Sequence, residues 1–317
     1  MVKLVVMIPC LNEEATLPLV FETMPTSIPG VDSIEVLIVD DGSTDRTVEV
    51  AQQLGVEHFV HHTRNQGLAY AFRDGLIGAL ELGADIIVLT DGDNQYPQER
   101  IPDLIQPILA GRADVVIADR QTRTIEHFSP LKKFWQHSGT WFLNRVAGTH
   151  VPDATSGFRA FSKEAALKLN LVSRYSFGME TIIQSGHKRM AFATITITTN
   201  PKTRESRLIK SDLTHVRKSG GTILRGLVTY RPYPVFLSLG LFLLLVGLIP
   251  FGRYLFAAAT DYGSRHVASL VIGGVLLTAA LVCFTLGVVA DLISVNRALL
   301  EDLLTEAKRR RFSGKGE

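Results

Sequence analysis

Short apolar, β-branched runs alternate with helix-compatible stretches over the first 90 residues. The apolar runs are Leu4–Ile8, Ile34–Val39, Val56–Val60 and Ile86–Thr90, with helical patterns reaching to about Met24 and to about Leu82. Strands that alternate with helices in this way predict an α/β fold with a mostly parallel sheet covered on both faces. Ligands of such sheets bind outside the carboxyl ends of the strands.

Two longer apolar stretches follow near the end of the chain. They are Val235–Ala259 and Val267–Ile293, and only seven residues separate them. About 20 helical residues cross the hydrocarbon layer of a membrane, so the pattern predicts a transmembrane hairpin. Pro250 and Arg253 weaken the first span. The alternative is a buried helical pair in a soluble domain, although such helices seldom stay apolar all round for this length.

Basic residues flank the hairpin on both sides. Arg204, Arg207, Lys210, Arg217, Lys218, Arg225 and Arg231 precede it, and Arg297 and Lys308–Arg311 follow it. Because basic residues favour the inner side of a membrane, we expect both termini in the cytoplasm. The predicted regions are a Rossmann-like domain (1–210), juxtamembrane interfacial helices (211–233), two transmembrane helices (234–294) and a basic cytoplasmic tail (295–317). The interfacial segment also fits an ordinary amphipathic helix packed on the soluble domain.

Global features narrow the function. The formal net charge is only +2, so basicity clustered near the membrane matters more than the total. The two cysteines, Cys10 and Cys283, lie in different regions, which argues against a disulfide and excludes a cysteine-based metal site. The N-terminal apolar stretch is too short and too interrupted for a signal peptide. We expect membrane lipids as partners and no nucleic acid. The sequence leaves open whether the chain forms a homo-oligomer.

Acidic and amide side chains follow the predicted strands. Asp91-Gly92-Asp93-Asn94-Gln95 comes directly after the fourth apolar run. Mg²⁺ and Mn²⁺ take oxygen ligands and often bind through one or two carboxylates together with substrate phosphates. The pattern therefore indicates a metal site for a nucleotide-linked substrate, although such pairs are also common in solvated turns.

Three ordered motifs resemble family 2 glycosyltransferases with the GT-A fold. They are Ile8-Pro9-Cys10-Leu11-Asn12-Glu13-Glu14, Val39-Asp40-Asp41-Gly42-Ser43-Thr44-Asp45 and Asp91-Gly92-Asp93. Within that family the chain is most similar to dolichyl- and polyprenyl-phosphate sugar synthases. Their Asp-x-Asp-x-Gln-x-Pro pattern is matched here by Asp91, Asp93, Gln95 and Pro97. The resemblance covers about residues 3–210 and the general arrangement of the tail.

The resemblance implies a role for each motif. Asp91, Asp93 and Gln95 would hold Mg²⁺ or Mn²⁺, with Asp93 the foremost ligand. Nucleotide contacts would come from Pro9, Asn12, Glu13, Asp40, Asp41 and Asp91. For Asp40 and Asp41 the alternative is helix capping, which the region of Ser43 and Asp45 could itself perform.

Acceptor-phosphate contacts are also implied. Arg120 matches an acceptor-phosphate arginine of these synthases, and Lys132, Lys133 and Ser138 fall in the next phosphate-binding segment. Arg204 and Arg207 resemble a loop that closes over donor and acceptor. The catalytic residues would then be Asp93, Arg120 and Arg204. Any single cation could instead be a solvated surface charge.

Ser156-Gly157-Phe158-Arg159 also resembles the family, and its Ser and Gly would line the sugar pocket or simply form a turn. Glu180 falls in the family's region for sugar contacts, or caps a helix.

The expected activity is inverting transfer of one sugar from a GDP- or UDP-linked donor to a polyprenyl or dolichyl phosphate at the cytoplasmic membrane face. A lipid phosphate has a second pKa near 6 and needs no strong base. Two alternatives stay open. One is a family 2 enzyme that acts on a hydroxyl of a glycan or glycolipid, although no Gln-x-x-Arg-Trp motif occurs. The other is a non-catalytic nucleotide-sugar-binding membrane protein.

Overall fold

The computed structural model describes residues 1–121, 130–171, 177–201, 220–221, 226–230, 232–260 and 267–313. The chain divides into two compact units. The N-terminal unit comprises Met1–Ile223 together with Leu303–Glu317, and the helical unit comprises Leu224–Asp302. Residues 303–313 at the end of the last helix therefore cluster with the N-terminal unit, and the domain bounds predicted from the sequence stay a prediction.

The N-terminal unit is built on one mixed sheet, which has seven strands in the described part of the chain. The strands are β1 (Lys3–Cys10), β2 (Ser33–Asp40), β3 (His58–His61), β4 (Ile86–Leu89), β5 (Val115–Asp119), β6 (Arg159–Ser162) and β7 (Phe192–Thr196). Their order is β3-β2-β1-β4-β6-β5-β7. The expectation of an α/β fold with a mostly parallel sheet is confirmed, because β6 alone of these strands runs antiparallel to its neighbours.

Strand composition explains the position of the core. Leu4 to Cys10 of β1 and all four residues of β4 are buried, as expected for strands covered on both faces. The helices of this unit are α1 (Leu17–Glu22), α2 (Thr47–Gln53), α3 (Leu68–Glu81), α4 (Ile101–Leu109), α5 (Pro130–Ala147), α6 (Lys163–Lys168) and α7 (Phe177–His187), and a short 3₁₀ helix spans Gln98–Arg100. The observed bounds of β1 to β4 and the ends of α1 and α3 fall within a few residues of those predicted from the pattern.

Sheet topology brings distant loops to one edge. The chain passes from β1 through β2 to β3 on one side, and β4 then pairs with β1 on the other side. This reversal creates a topological switch point, where open α/β sheets bind ligands. Because β6 is antiparallel, the loop that precedes it reaches the same edge as the loops that follow β1, β2, β4 and β5.

The helical unit contains two long apolar helices. These are α8 (Pro232–Ala259) and α9 (Val267–Ser313), whose last residues belong to the N-terminal unit. Both are long and apolar enough to cross a membrane. Large apolar side chains such as Phe242, Ile249 and Phe256 are more than 60% exposed. The alternative of a buried helical pair therefore lacks support, because these helices present their apolar surface outward.

Glycines bring α8 and α9 together. A Cβ added to Gly240 would lie 2.6 Å from the Phe284 ring, and one added to Gly273 would lie 2.9 Å from the Phe251 backbone nitrogen. Small residues at helix contacts allow close packing where lipid supplies no hydrophobic drive. The predicted interfacial segment, 211–233, lies mostly outside the described residues.

The end of α9 packs within the N-terminal unit through basic and aromatic side chains. Lys308 Nζ donates to the Leu169 carbonyl oxygen at 2.7 Å, Arg309 pairs with Glu164, and Phe312 is buried. Part of the basic cluster therefore pairs with the protein's own acids.

Candidate active site

The loop after β1 is locked to the loop after β2. Asn12 has a φ of 56°, in the left-handed region that asparagine tolerates better than most residues. Its Oδ1 accepts a hydrogen bond from the Thr44 backbone N–H at 2.7 Å, and its backbone N–H donates to Ser43 Oγ at 3.0 Å. Pro9 lies in β1, directly before this loop. Asn12 thus joins the loops after β1 and β2 into one wall, and its predicted nucleotide contact stays a prediction.

Glu13 links this wall to the proposed metal loop. Its side chain is buried, and its amide donates to Thr47 Oγ1 at 2.7 Å. The Thr16 hydroxyl lies 2.8 Å from Glu13 Oε2 and 2.7 Å from the Gly92 carbonyl oxygen. Glu13 therefore stands where the loops after β1, β2 and β4 meet.

Asp40 and Asp41 are both buried but have different surroundings. Asp40 Oδ1 accepts from the Ser43 amide at 2.9 Å, and Oδ2 lies 3.5 Å from Nδ1 of the half-exposed His61. Asp41 accepts from the amides of Gln66 and Gly67, each at 2.8 Å, and Oδ1 lies 2.7 Å from His62 Nδ1.

The Asp41 carboxylate is thus used within the protein to hold the turn before α3. The second ring nitrogen of the buried His62 lies 3.1 Å from Asp74 Oδ2, which fixes the histidine from the other side. Of the two acidic residues, Asp40 is the one whose geometry leaves more scope for a nucleotide contact.

The loop Asp91–Pro97 follows β4, and Asp91, Asp93 and Gln95 are all half-buried in it. Gln95 Nε2 donates to Asp93 Oδ2 at 2.9 Å, and the Gln95 amide lies 3.2 Å from Asp93 Oδ1. Between them Asn94 has a φ of 57°. The turn at Asn94 therefore brings the two side chains to one place.

Gly157 lets the loop before β6 approach Asp91 closely. A Cβ added to Gly157 would lie 2.9 Å from Asp91 Oδ2 and 3.2 Å from the Tyr96 hydroxyl oxygen. That hydroxyl accepts a hydrogen bond from the Gly157 amide at 2.8 Å. Burial and the nearby Asp91 help to raise the pKa of Tyr96 to about 12, so the phenol stays protonated at neutral pH. The loop before β6 and the loop after β4 are thereby joined.

These donors fit a divalent cation that arrives with its substrate. Among the described residues no three His, Cys, Asp or Glu side chains form a preformed metal cluster. Two carboxylates and an amide oxygen nevertheless suit Mg²⁺ or Mn²⁺ when substrate phosphates complete the shell. The hydrogen bond between Gln95 Nε2 and Asp93 Oδ2 already holds two of these donors together.

Arg120, directly after β5, is held by the loop before β6. Its Nε donates to Asp153 Oδ2 at 2.7 Å, and one terminal nitrogen donates to Asp153 Oδ1 at 3.1 Å and to Thr155 Oγ1 at 2.6 Å. Burial disfavours the charged guanidinium, but the neighbouring Tyr96, Asp153 and Asp91 reverse that effect and raise the pKa of Arg120. Its remaining N–H groups can meet an anion.

Other predicted acceptor contacts are only partly described. Ser138 lies in α5 and is half-exposed. The side chains of Lys132 and Lys133, and the whole of Arg204 and Arg207, lie outside the described residues.

The sequence profile of Glycosyl transferase family 2 matches residues 5–169, just over half of the chain. The chain belongs to glycosyl transferase family 2. Undecaprenyl-phosphate mannosyltransferase from Micrococcus luteus is 28% identical over 186 residues, which is 56% of this chain and 74% of that protein. Dolichol-phosphate mannosyltransferase from Pyrococcus furiosus is 30% identical over 59% of this chain, which spans only 54% of that protein's length.

Solved structures agree on the fold of this family 2 glycosyltransferase. Glucosyl-3-phosphoglycerate synthase from Mycobacterium tuberculosis, in complex with Mn²⁺, UDP and glucosyl-3-phosphoglycerate, has a TM-score of 0.54. It is 23% identical, and the match covers 72% of this chain and 79% of that one. That similarity supports the GT-A fold and does not by itself assign a substrate.

Sequence reasoning on this family 2 member missed the role of Arg159. This fully buried guanidinium donates to the carbonyl oxygens of Ala154, Ser156 and Gly178 at 2.8–2.9 Å and to Thr181 Oγ1 at 2.7 Å. Burial lowers its pKa to about 10, so it remains charged at neutral pH. It fixes the loop before β6 and the first turn of α7. The signal in the sequence was a charged residue directly before the apolar pair Ala160-Phe161.

Two residues that the resemblance suggested as sugar contacts, Ser156 and Glu180, are buried. Ser156 Oγ has no hydrogen-bond partner within the described part of the protein, which is unusual for a buried hydroxyl. Glu180 Oε1 accepts from Gln184 Nε2 at 3.2 Å on α7.

Proposed function

We propose that this enzyme transfers one sugar, with inversion, from a nucleotide-diphosphate sugar to a polyprenyl or dolichyl phosphate at the cytoplasmic membrane face. The observation that carries the proposal is the position of Arg120. Its guanidinium is oriented by Asp153 and Thr155 and interacts electrostatically with Asp91 of the proposed metal loop. A cation beside the donor site can hold a second phosphate close to the sugar that is transferred.

The donor would lie across the switch point of the sheet. Asp40 would accept hydrogen bonds from the nucleoside, and the wall formed by Pro9, Asn12 and Glu13 would confine it. Asp91, Asp93 and Gln95 would hold Mg²⁺ or Mn²⁺, which supplies charge stabilisation for the departing diphosphate. Asp41 would contribute indirectly, because its carboxylate holds the turn before α3.

The acceptor supplies its own nucleophile. A phosphate monoester is largely dianionic at neutral pH, and one of its oxygens can attack the anomeric carbon while the bond to the diphosphate breaks. Attack from the face opposite the leaving group inverts the configuration. The main task of Arg120, and of Arg204 and Arg207 in the predicted closing loop, is to hold the two anions together. Lys133 and Ser138 are proposed as further phosphate contacts.

A hydroxyl acceptor would need a general base instead. Asp153, the acid adjacent to Arg120, is already paired with that guanidinium through two hydrogen bonds. Its geometry therefore favours orientation of a cation over removal of a proton.

Several features support the membrane location. Relatives include undecaprenyl- and dolichyl-phosphate sugar transferases, and α8 and α9 are candidate spans. Both termini and the catalytic unit are proposed to be cytoplasmic, following the basic residues that flank the spans. Cysteine-accessibility labelling in oriented vesicles would test this orientation.

Activity is tested with purified full-length protein in detergent, a panel of UDP- and GDP-linked sugars, and polyprenyl phosphate. We expect a lipid-linked product that requires Mg²⁺ or Mn²⁺ and disappears in EDTA. Asp93→Asn should lose transfer while it keeps its fold. The control is Asp103→Asn on the surface of α4, which should retain transfer.

Two outcomes would contradict the proposal. Product formed only on a glycan or glycolipid hydroxyl would identify the other enzymatic activity. Donor binding without transfer to either acceptor class would support the non-catalytic reading.

A further inference from the structure

The segment after β7 reaches back to the proposed metal loop. Ile197 continues the sheet pairing by donating its amide to the Asp119 carbonyl oxygen at 2.9 Å. Three residues later, the Asn200 amide donates to the Gln95 carbonyl oxygen at 3.0 Å. Asn200 thus contacts a loop that lies more than 100 positions earlier in the chain.

The Asn200 side chain extends this contact. Its Nδ2 donates to the Asn94 carbonyl oxygen at 3.1 Å and lies 3.5 Å from the Tyr96 carbonyl oxygen. Asn200 therefore faces three consecutive carbonyl groups of the loop through one backbone and one side-chain nitrogen. An asparagine amide has two N–H donors, which matches the two carbonyl groups that its side chain faces.

These contacts surround the residue of the loop that has a positive φ. Asn94 has a φ of 57°, a conformation that non-glycine residues adopt at a cost and that persists where surrounding contacts enforce it. Asp93 and Gln95 stand on either side of it and are hydrogen-bonded to each other. A change in the Asn94 backbone would alter the directions of both side chains.

We infer that Asn200 is a positioning residue for the divalent cation. It holds the Asn94–Tyr96 backbone so that Asp93 and Gln95 converge, and it touches neither the metal nor the substrate. This inference rests on the metal site of the proposed function. Asn200 also comes four residues before Arg204, so one short segment carries both the support of the metal loop and a proposed acceptor contact.

The test measures Mn²⁺ binding directly, by electron paramagnetic resonance of free Mn²⁺ with full-length protein and a nucleoside diphosphate. Asn200→Ala removes the side-chain donor. Asn200→Asp keeps the size but turns a carboxylate toward the carbonyl oxygens. Because one or two backbone contacts are lost, we expect Mn²⁺ to bind about tenfold more weakly in either variant.

Asn144→Ala is the matched control. Asn144 also braces a turn, since its Nδ2 donates to the Val151 carbonyl oxygen at 2.8 Å and its Oδ1 accepts from the Val151 amide at 3.1 Å. Its variant should bind Mn²⁺ like the wild type. Saturating Mn²⁺ should return the transfer rate of Asn200→Ala to within about threefold of the wild type, as expected when the variant only weakens metal binding.

The outcomes separate this inference from the proposed function. If the wild type binds Mn²⁺ and transfers sugar but both Asn200 variants bind Mn²⁺ equally well, only the positioning role is overturned. Equal weakening by Asn144→Ala also overturns it, because the effect would then be general. If the wild type itself binds no Mn²⁺, the metal step of the proposed function fails and this inference falls with it. Should Asn200→Ala not fold, Asn200→Asp gives the same comparison.

Discussion

Gly157→Ala tests the junction between the loop after β4 and the loop before β6. The new methyl group would lie 2.9 Å from Asp91 Oδ2, 3.2 Å from the Tyr96 hydroxyl oxygen and 3.3 Å from Asp91 Oδ1. Ordinary contacts begin near 3.4 Å, so the Asp91 carboxylate must retreat by roughly 0.5 Å. Gly157 is not among the glycines with positive φ, so the backbone itself accepts alanine.

The displacement should reduce activity more than stability. Overpacking usually costs about 1–3 kcal/mol, and a side chain that can turn aside places this case near the lower end. A misplacement of about 1 Å in a catalytic site can cost about a hundredfold in rate, so we expect a loss of roughly tenfold or more. Transfer to polyprenyl phosphate, calorimetric affinity for the donor with Mn²⁺, and thermal unfolding would be measured together.

Gly139→Ala provides the control. It is the same chemical change in α5, where an added Cβ meets nothing within 4 Å. Alanine is favoured over glycine in a helix by up to about 1 kcal/mol, so this variant should be slightly more stable and fully active. Full activity and unchanged donor affinity in Gly157→Ala would refute the reasoning that Asp91 must keep its position.

Three further variants probe the supports of the site. Asp153→Asn should cost about 3 kcal/mol, because it leaves the Arg120 guanidinium without its ionic partner. Burial opposes ionisation of Asp153, but Arg120 and Thr155 outweigh it and hold its pKa below the usual value near 4. The stability that the pair contributes is therefore present above about pH 4 and lost as the pH falls further. Below that pH, the free energy of unfolding measured in urea should change less with pH in the variant than in the wild type. Arg159→Met should cost at least about 3 kcal/mol, measured by urea unfolding, because several buried acceptors lose their donor. Phe312→Ala should cost about 2–4 kcal/mol in the N-terminal unit, and an unchanged melting temperature would show that the end of α9 does not support that unit.

Local patterns predicted much of the fold. Apolar runs such as Leu4–Ile8 and Ile86–Thr90 identified buried parallel strands, because a strand covered on both faces is apolar throughout. The polar residues that follow β1, β2 and β4 could be assigned to one edge by the same logic. The family resemblance then supplied chemical roles, of which those of the individual site residues remain predictions.

Long-range contacts could not be predicted in this way. Asp153 is 33 residues from Arg120, and no local period connects them. Because β6 is antiparallel, the loop before it reaches the site. The prediction from the sequence considered only residues that follow strands, so it could not include this loop. Asp41 was assigned to the nucleotide from its motif, but its partners Gln66 and Gly67 became visible only when the chain was folded.

Two guanidinium groups and two carboxylates interact electrostatically around the loop before β6. Arg120 and Arg159 both interact with Asp91 and Asp153, and Arg159 is fully buried. In their ordinary ionised forms these four groups carry two positive and two negative charges. Under the proposed function, a divalent cation and a nucleoside diphosphate enter as a pair, and their charges nearly cancel. The site would then fill or empty without a large change in its net charge, which suits an enzyme that must release a highly charged product in every cycle.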